Sequence, residues 1–226
     1  MTVRIGMLAF PDLTQLDLTG PFEIFHRVPD AEVHVVWKDA KPVRAQGGLV
    51  IVPNTLLRSC PQLDVVFVPG GFGHVELIND DSVLVFLAEQ SRAARYVSSV
   101  CTGSLLLGAA GLLDGYHATT HWAYMDLLPA FGARPVQGRV VVDRNRITAG
   151  GVTSGIDFGL RVVAELAGET VAKGIALGLE YDPEPPFRCG RPDLAGPELV
   201  ASVQSRLAES LSAERIQIER WKSRRR

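Results

Sequence analysis

Short apolar runs rich in valine and isoleucine recur through the first half of the chain, at residues 3–9, 33–37, 49–52, 65–68 and 96–100. Each has strand length and β-branched character, so each is expected to form a strand. Between several of them lie helix-length segments, at residues 20–27 and 81–95. Strands alternating with helices imply parallel pairing through crossovers. The runs VVFV and VRIGMLA lack polar alternation, which fits a sheet covered on both faces rather than wetted on one. The expected class is α/β: a three-layer sandwich around a mostly parallel central sheet, flavodoxin-like.

Farther along, RVVVDRNRITAGG places a polar turn between two β-rich runs, the pattern of a hairpin that finishes the sheet, and a helix is expected over 153–166. Residues 181–197 contain Pro183, Pro185, Pro186, Pro192 and Pro197, so they are expected as an irregular arm on the surface. Beyond it, Val200, Val203, Leu207, Leu211, Ile218 and Trp221 fall mostly three or four apart, the mark of an amphipathic helix over 198–222. With no internal repeat and no low-complexity linker, residues 1–226 read as one domain whose core spans about 3–181.

Composition narrows the function. The formal charge is −2, which argues against binding nucleic acid through phosphate neutralisation. No run reaches the roughly 20 apolar residues of a membrane helix, and the start MTVRIGMLAFPDL has no signal-peptide layout, so a cytoplasmic protein is expected. The three cysteines, Cys60, Cys101 and Cys189, have neither disulfide-framework nor zinc-ribbon spacing. The histidines show no HExxH spacing, so neither metal nor organic cofactor is expected.

Three turns carry candidate chemistry. In YVSSVCTGSLLLGAAG a strand runs directly into a helix, with Cys101 at the junction and Gly103 to relieve the turn. This is the layout of a nucleophile elbow at the carboxyl end of a parallel sheet. The amino end of the following helix would favour the thiolate. Cys60 and Cys189, in a loop and in the arm, lack such a setting. The second turn, VPGGFG, offers uncovered backbone N–H groups at Gly70 and Gly71 that would hold a developing negative charge. In the third, DLTQLDLTGPFE, Asp17 lies between Leu16 and Leu18, where apolar surroundings would raise its pKa and suit it to proton exchange. The plainer reading of Asp17 is a cap before a helix that Pro21 begins.

Taken together and in order, LDLTGPFEIF, VPGGFG, SSVCTGSLLLGAAGLLDG, ATTHW and ITAGGVTSGIDFGL resemble the ThiJ/PfpI superfamily of class I glutamine-amidotransferase-like folds. Within it, CTGSLLL, THW and GLEYDPEPPF look like its isonitrile-hydrating branch. The resemblance implies Cys101 as nucleophile, Asp17 as general acid and base, Thr102 as a supporting residue and the Gly70–Gly71 turn opposite the sulfur. His121 matches the superfamily's histidine near the elbow, but the implied chemistry does not require it as the base. Proteases of the superfamily carry Cys-His at the elbow, so Cys101-Thr102 counts against a peptidase.

The implied reaction adds water to an isonitrile, R–NC, through a thioimidate on Cys101, releasing an N-substituted formamide. Phe72 and Trp122 are expected to supply an apolar pocket for R. The alternatives are a glyoxalase or deglycase acting on 2-oxoaldehydes, or a redox sensor in which Cys101 is oxidised without turnover. A homodimer is expected from the resemblance and from the apolar face of the terminal helix. The basic residues Arg220, Lys222, Arg224, Arg225 and Arg226 read as a solvated helix end suited to the C-terminal dipole.

Overall fold

The computed structural model describes residues 2–225; Met1 and Arg226, the last of the basic tail, lie outside it. Seven strands form the central sheet. In chain order they are β1 (Val3–Leu8), β2 (Ala31–Trp37), β5 (Thr55–Leu56), β6 (Val65–Val68), β7 (Tyr96–Val100), β10 (Val140–Asp143) and β11 (Arg146–Ala149). Their spatial order is β10-β11-β7-β6-β1-β2-β5. Every pairing is parallel except the β10–β11 hairpin, which closes one edge as the sequence pattern implies. Two small pairs stand apart: β3 (Val43–Arg44) with β4 (Val50–Ile51), and β8 (His117–Ala118) with β9 (Arg134–Pro135). The apolar run at 49–52 therefore joins a side hairpin rather than the sheet, and leaves Val50 and Val52 exposed.

All residues of β6 and β11 are buried, so helices cover both faces of the sheet. The helices are α1 (Gln15–Phe25), α2 (His74–Leu77), α3 (Asp81–Ser91), α4 (Gly103–Ala109), α5 (Ser154–Ala167), α6 (Glu169–Gly178), α7 (Pro192–Ala195) and α8 (Pro197–Ser223). Asp80 caps α3 by accepting from the N–H groups of Ser82 and Val83. α1 packs on α5, and glycines set the approach: a Cβ on Gly159 would lie 3.0 Å from Ile24, and one on Gly155 3.1 Å from the Pro21 ring. Phe25, Phe67 and Phe158 meet there, the last two with ring centroids 5.3 Å apart.

α1 begins at Gln15, five residues before the expected start, and continues through Pro21. Burial of Leu18, Ile24 and Phe25 outweighs the hydrogen bond that the proline cannot donate to the Asp17 carbonyl. The arm is irregular and exposed up to the short helix α7, which the prolines did not suggest. α8 lies back on its own chain, against α2 and the 3-10 segment Trp122–Phe131. Ile218 is buried, and the Trp221 indole donates to the Ala109 carbonyl at 3.0 Å. The apolar face on which a dimer was expected is thus largely covered from within.

Candidate active site

Cys101 occupies the turn between β7 and α4 with φ +55°, a left-handed conformation unusual for a residue with a side chain. Such a backbone costs on the order of 1–3 kcal/mol and persists only when its surroundings hold it. Here they do. The Cys101 N–H donates to the carbonyls of Ala149 and Gly150, at 3.1 and 2.8 Å. Its own carbonyl accepts from the hydroxyls of Thr120, at 2.9 Å, and Ser104, at 3.2 Å. Thr120 comes from the ATTHW motif. The role given to Gly103 differs from the expected one: Cys101 carries the positive φ, whereas a Cβ on Gly103 would lie 2.2 Å from the Val68 carbonyl. Gly103 lets α4 start against the end of β6.

Asp17 is fully buried. Thr14, not Asp17, occupies the cap position of α1, and the Asp17 carboxylate instead accepts from the Gly70 N–H at 2.9 Å. Its other oxygen has no hydrogen-bond partner, and the Cys101 thiol lies beside the carboxyl group. Burial raises the Asp17 pKa to about 7, against the opposing pull of the Gly70 and Cys101 hydrogen bonds.

The expectation of a stabilised thiolate is overturned. Burial pushes the Cys101 thiol well above its ordinary range, and the Asp17 carboxylate beside it pushes the same way. The backbone N–H groups of Thr102 and Val152 face the sulfur and are the donors that favour its charge.

The Gly70 and Gly71 amides have a different employment from the one expected. Gly70 donates to Asp17, and the Gly71 N–H donates to the Thr102 hydroxyl at 3.1 Å. Neither is left free to hold charge on a ligand. The turn fixes the acid and the threonine instead, and a Cβ on Gly70 would come within 2.6 Å of the Thr102 nitrogen.

A cleft of about 150 Å³ opens onto this group, lined by Thr14, Gln46, Gly71, Phe72, Cys101, Thr102, His121, Tyr124, Val152 and Leu207. Phe72 is half exposed at its rim. Trp122 does not line the cleft; it stacks on His121 at 5.6 Å, and Tyr124, two residues on, takes the wall position. Burial lowers the His121 pKa, which keeps the ring neutral. Its Nδ1 accepts from the Ala123 N–H, so the ring hydrogen is on Nε2. His117 is on β8, paired with Asp143. Cys60 is half-buried, its thiol raised to about 11 by burial, and Cys189 is exposed in the arm. A larger hollow near the end of α8 is lined by Arg224, already paired with Asp81, and by Arg225 over Trp221. It contains no nucleophile.

Sequence reading missed Tyr124, Val152, Gln46 and Leu207. Val152 acts through its backbone, to which residue type gives no clue, and Leu207 arrives from a helix about a hundred residues downstream of the nucleophile.

Residues 3–165 match the family model described as DJ-1/PfpI family. The isonitrile hydratase of Pseudomonas putida is 53% identical over 211 residues, covering 93% of this chain and 92% of its own. The crystal structure of a ThiJ/PfpI family protein from Pseudomonas syringae superposes with a TM-score of 0.93 at 44% identity, covering 96% of this chain and 91% of its own. Drosophila melanogaster DJ-1beta, at 23% identity and a TM-score of 0.74, covers 81% of this chain and 100% of its own, a likeness of fold alone.

Proposed function

The chain belongs to the DJ-1/PfpI family, and from that premise we propose that it hydrates isonitriles to N-substituted formamides, as a hydro-lyase with Cys101 as nucleophile. The observation that carries this is 53% identity over 93% of the chain to an isonitrile hydratase, joined to a buried carboxyl beside the only cysteine that lines the cleft.

The chemistry follows from the pair. The strained strand-to-helix turn serves as a nucleophile elbow, aiming the sulfur into the cleft. Asp17 takes the thiol proton as sulfur bonds to the electrophilic terminal carbon, then delivers it to that carbon, giving the thioimidate R–N=CH–S–Cys101. Asp17, ionised again, takes a proton from water as the hydroxide adds to carbon, and passes it to nitrogen. The tetrahedral species collapses, the C–S bond breaks, and the hydroxyl proton returns through Asp17 to the sulfur. The formamide leaves. The Thr102 and Val152 N–H groups favour charge on sulfur in both directions. Phe72, Tyr124 and Leu207 form the apolar walls for R.

A high thiol pKa suits this scheme better than a standing thiolate, because one proton must travel with the sulfur. It argues against a redox sensor, whose cysteine is typically accessible and of low pKa. A glyoxalase or deglycase would use the same pair on a 2-oxoaldehyde, and no close relative reported above supports it. The reading is tested by formamide release from cyclohexyl isonitrile, with methylglyoxal alongside. Turnover of methylglyoxal alone would overturn it.

The pH dependence has a definite sign. When Asp17 is protonated nothing accepts the thiol proton, so kcat/KM is expected to rise as pH climbs through about 7, the value to which burial raises the Asp17 pKa. It then holds level on the alkaline side, where the Cys101 thiol stays protonated. A rise centred near 3.8, the ordinary carboxyl value, or a fall through neutrality would contradict the assignment.

The whole chain is read as one domain, its partners as a small-molecule isonitrile and a second copy, with no nucleic acid and no cofactor. A charge of −2 supports the exclusion of nucleic acid. Among the described residues no helix is long and apolar enough to cross a membrane, and a mechanism needing a reduced cysteine suits the cytoplasm. For the dimer, support comes from the exposed Leu49, Val50 and Val52 around the β3–β4 hairpin rather than from α8. Size-exclusion chromatography with light scattering is expected to give about twice the chain mass of 24.5 kDa, and the chain mass itself would refute the dimer.

A further inference from the structure

One stripe of α8 reaches into the site. Leu207, Ser210, Glu214, Ile218 and Trp221 follow at spacings of three and four, so they share one side of the helix. Leu207 lines the cleft together with Cys101. The Ser210 hydroxyl accepts from the hydroxyl of Tyr124, another cleft wall, at 2.9 Å. Glu214 is fully buried and its carboxylate lies 2.7 Å from Nε2 of His74, which is also fully buried. On its other side, Nδ1 of His74 is 2.7 Å from the Gly71 carbonyl. A carbonyl only accepts, so Nδ1 carries a hydrogen. His74 therefore bridges α8 to the turn whose amides hold Asp17 and Thr102. Tyr124 packs edge-on against both His74 and His121. Apart from Leu207, a wall of the cleft, none of these α8 residues has a part in the scheme above, and α8 lies beyond residues 3–165 that match the family model.

We propose that α8 is the specificity wall of the site: Leu207 limits the size of the isonitrile substituent, and the Glu214–His74 and Ser210–Tyr124 contacts fix that wall against the catalytic turn. The inference rests on the hydratase reading for its ligand. The cleft is about 150 Å³, a volume that in an apolar cavity accommodates a benzene-sized group. A six-membered ring therefore fits, and a cage such as adamantyl meets Leu207. Glu214 is a positioning residue in this scheme and touches no substrate.

The test is the ratio of kcat/KM for adamantyl over cyclohexyl isonitrile. Leu207→Ala is expected to raise that ratio by about tenfold or more, the scale at which a few methylenes discriminate in an apolar pocket. Glu214→Ala, assayed below its melting temperature, raises it as well. Glu214→Gln retains the wild-type ratio, since its amide donates to Nε2 and leaves the Nδ1 hydrogen on Gly71. A general loss of stability would lower both substrates together and leave the ratio unmoved. An unchanged ratio in Leu207→Ala overturns the proposal. If wild type turns over no isonitrile, the hydratase reading falls by itself. The wall is then read from alkylation of Cys101, followed by peptide mass, with iodoacetamide and its N-adamantyl derivative. The same rise in bulky-over-small reactivity in Leu207→Ala supports it, and no rise overturns it.

Discussion

Replacing Cys101 by alanine is expected to abolish formamide release, lowering kcat by at least about ten-thousandfold, the scale reached when a covalent nucleophile is removed. The loss should come without loss of fold. Cys101 is buried in a left-handed conformation held by hydrogen bonds from its backbone, at Ala149, Gly150, Thr120 and Ser104, and alanine keeps that backbone. What alanine removes is the sulfur, whose burial beside the Asp17 carboxylate leaves it destabilised as a thiolate. Circular dichroism should match wild type, and Tm should shift by no more than a few degrees. Serine is the sharper variant. Its hydroxyl preserves shape but is a far weaker nucleophile than sulfur, so it should be nearly as inactive as alanine. Appreciable formamide release from either variant would remove Cys101 from the mechanism.

Asp17→Asn is expected to abolish turnover and, at the same time, stabilise the protein. The amide oxygen still accepts from the Gly70 N–H, so the turn keeps its place. The amide neither takes the thiol proton nor returns it, and a loss of about a thousandfold or more in kcat follows. The stability effect has a sign fixed by linkage. The folded-state pKa is about 7 against an ordinary 3.8, so the folded chain holds a proton that the unfolded chain releases in that interval. Stability therefore falls as pH rises between those values, and the full cost of the ionised buried carboxylate is present above about pH 7. That cost is on the order of 2–4 kcal/mol, the upper figure following from 1.36 kcal/mol per pKa unit. Asparagine escapes it. The gain in Tm over wild type should be several degrees at about pH 8 and should shrink towards pH 4, where wild-type Asp17 is neutral in the folded state and the unfolded-state carboxyl is close to its own midpoint. An equal gain at both pH values would refute the raised pKa.

Much of this was legible in the chain because it rests on local pattern. The runs that became β1, β2, β6 and β7, and the hairpin β10–β11, announce themselves by uninterrupted apolar residues and by turn chemistry. Cys101 and Asp17 stood out for the same reason, as single polar or reactive groups at the edges of apolar segments. What was not legible depends on approach between distant parts. Pro21 marked a helix start by local rules, yet packing of α1 on α5 carries the helix through it. The Gly70 and Gly71 amides looked free because their partners, Asp17 and Thr102, lie more than 30 residues away in the chain. Trp122 and Tyr124 are two residues apart, and only the 3-10 conformation of their segment decides which one faces the cleft. The thiolate expectation failed because a helix terminus is visible in a sequence, whereas burial next to a carboxylate is not.

The covalent claim is tested most directly by intact-protein mass spectrometry during the first turnover with cyclohexyl isonitrile, quenched at millisecond intervals. A transient adduct equal in mass to the isonitrile, mapped to Cys101 and rising before formamide is released, is the expected result. Formamide appearing in a burst-free progress curve with no adduct on Cys101 at any time, in an enzyme that tolerates Cys101→Ala, would contradict it.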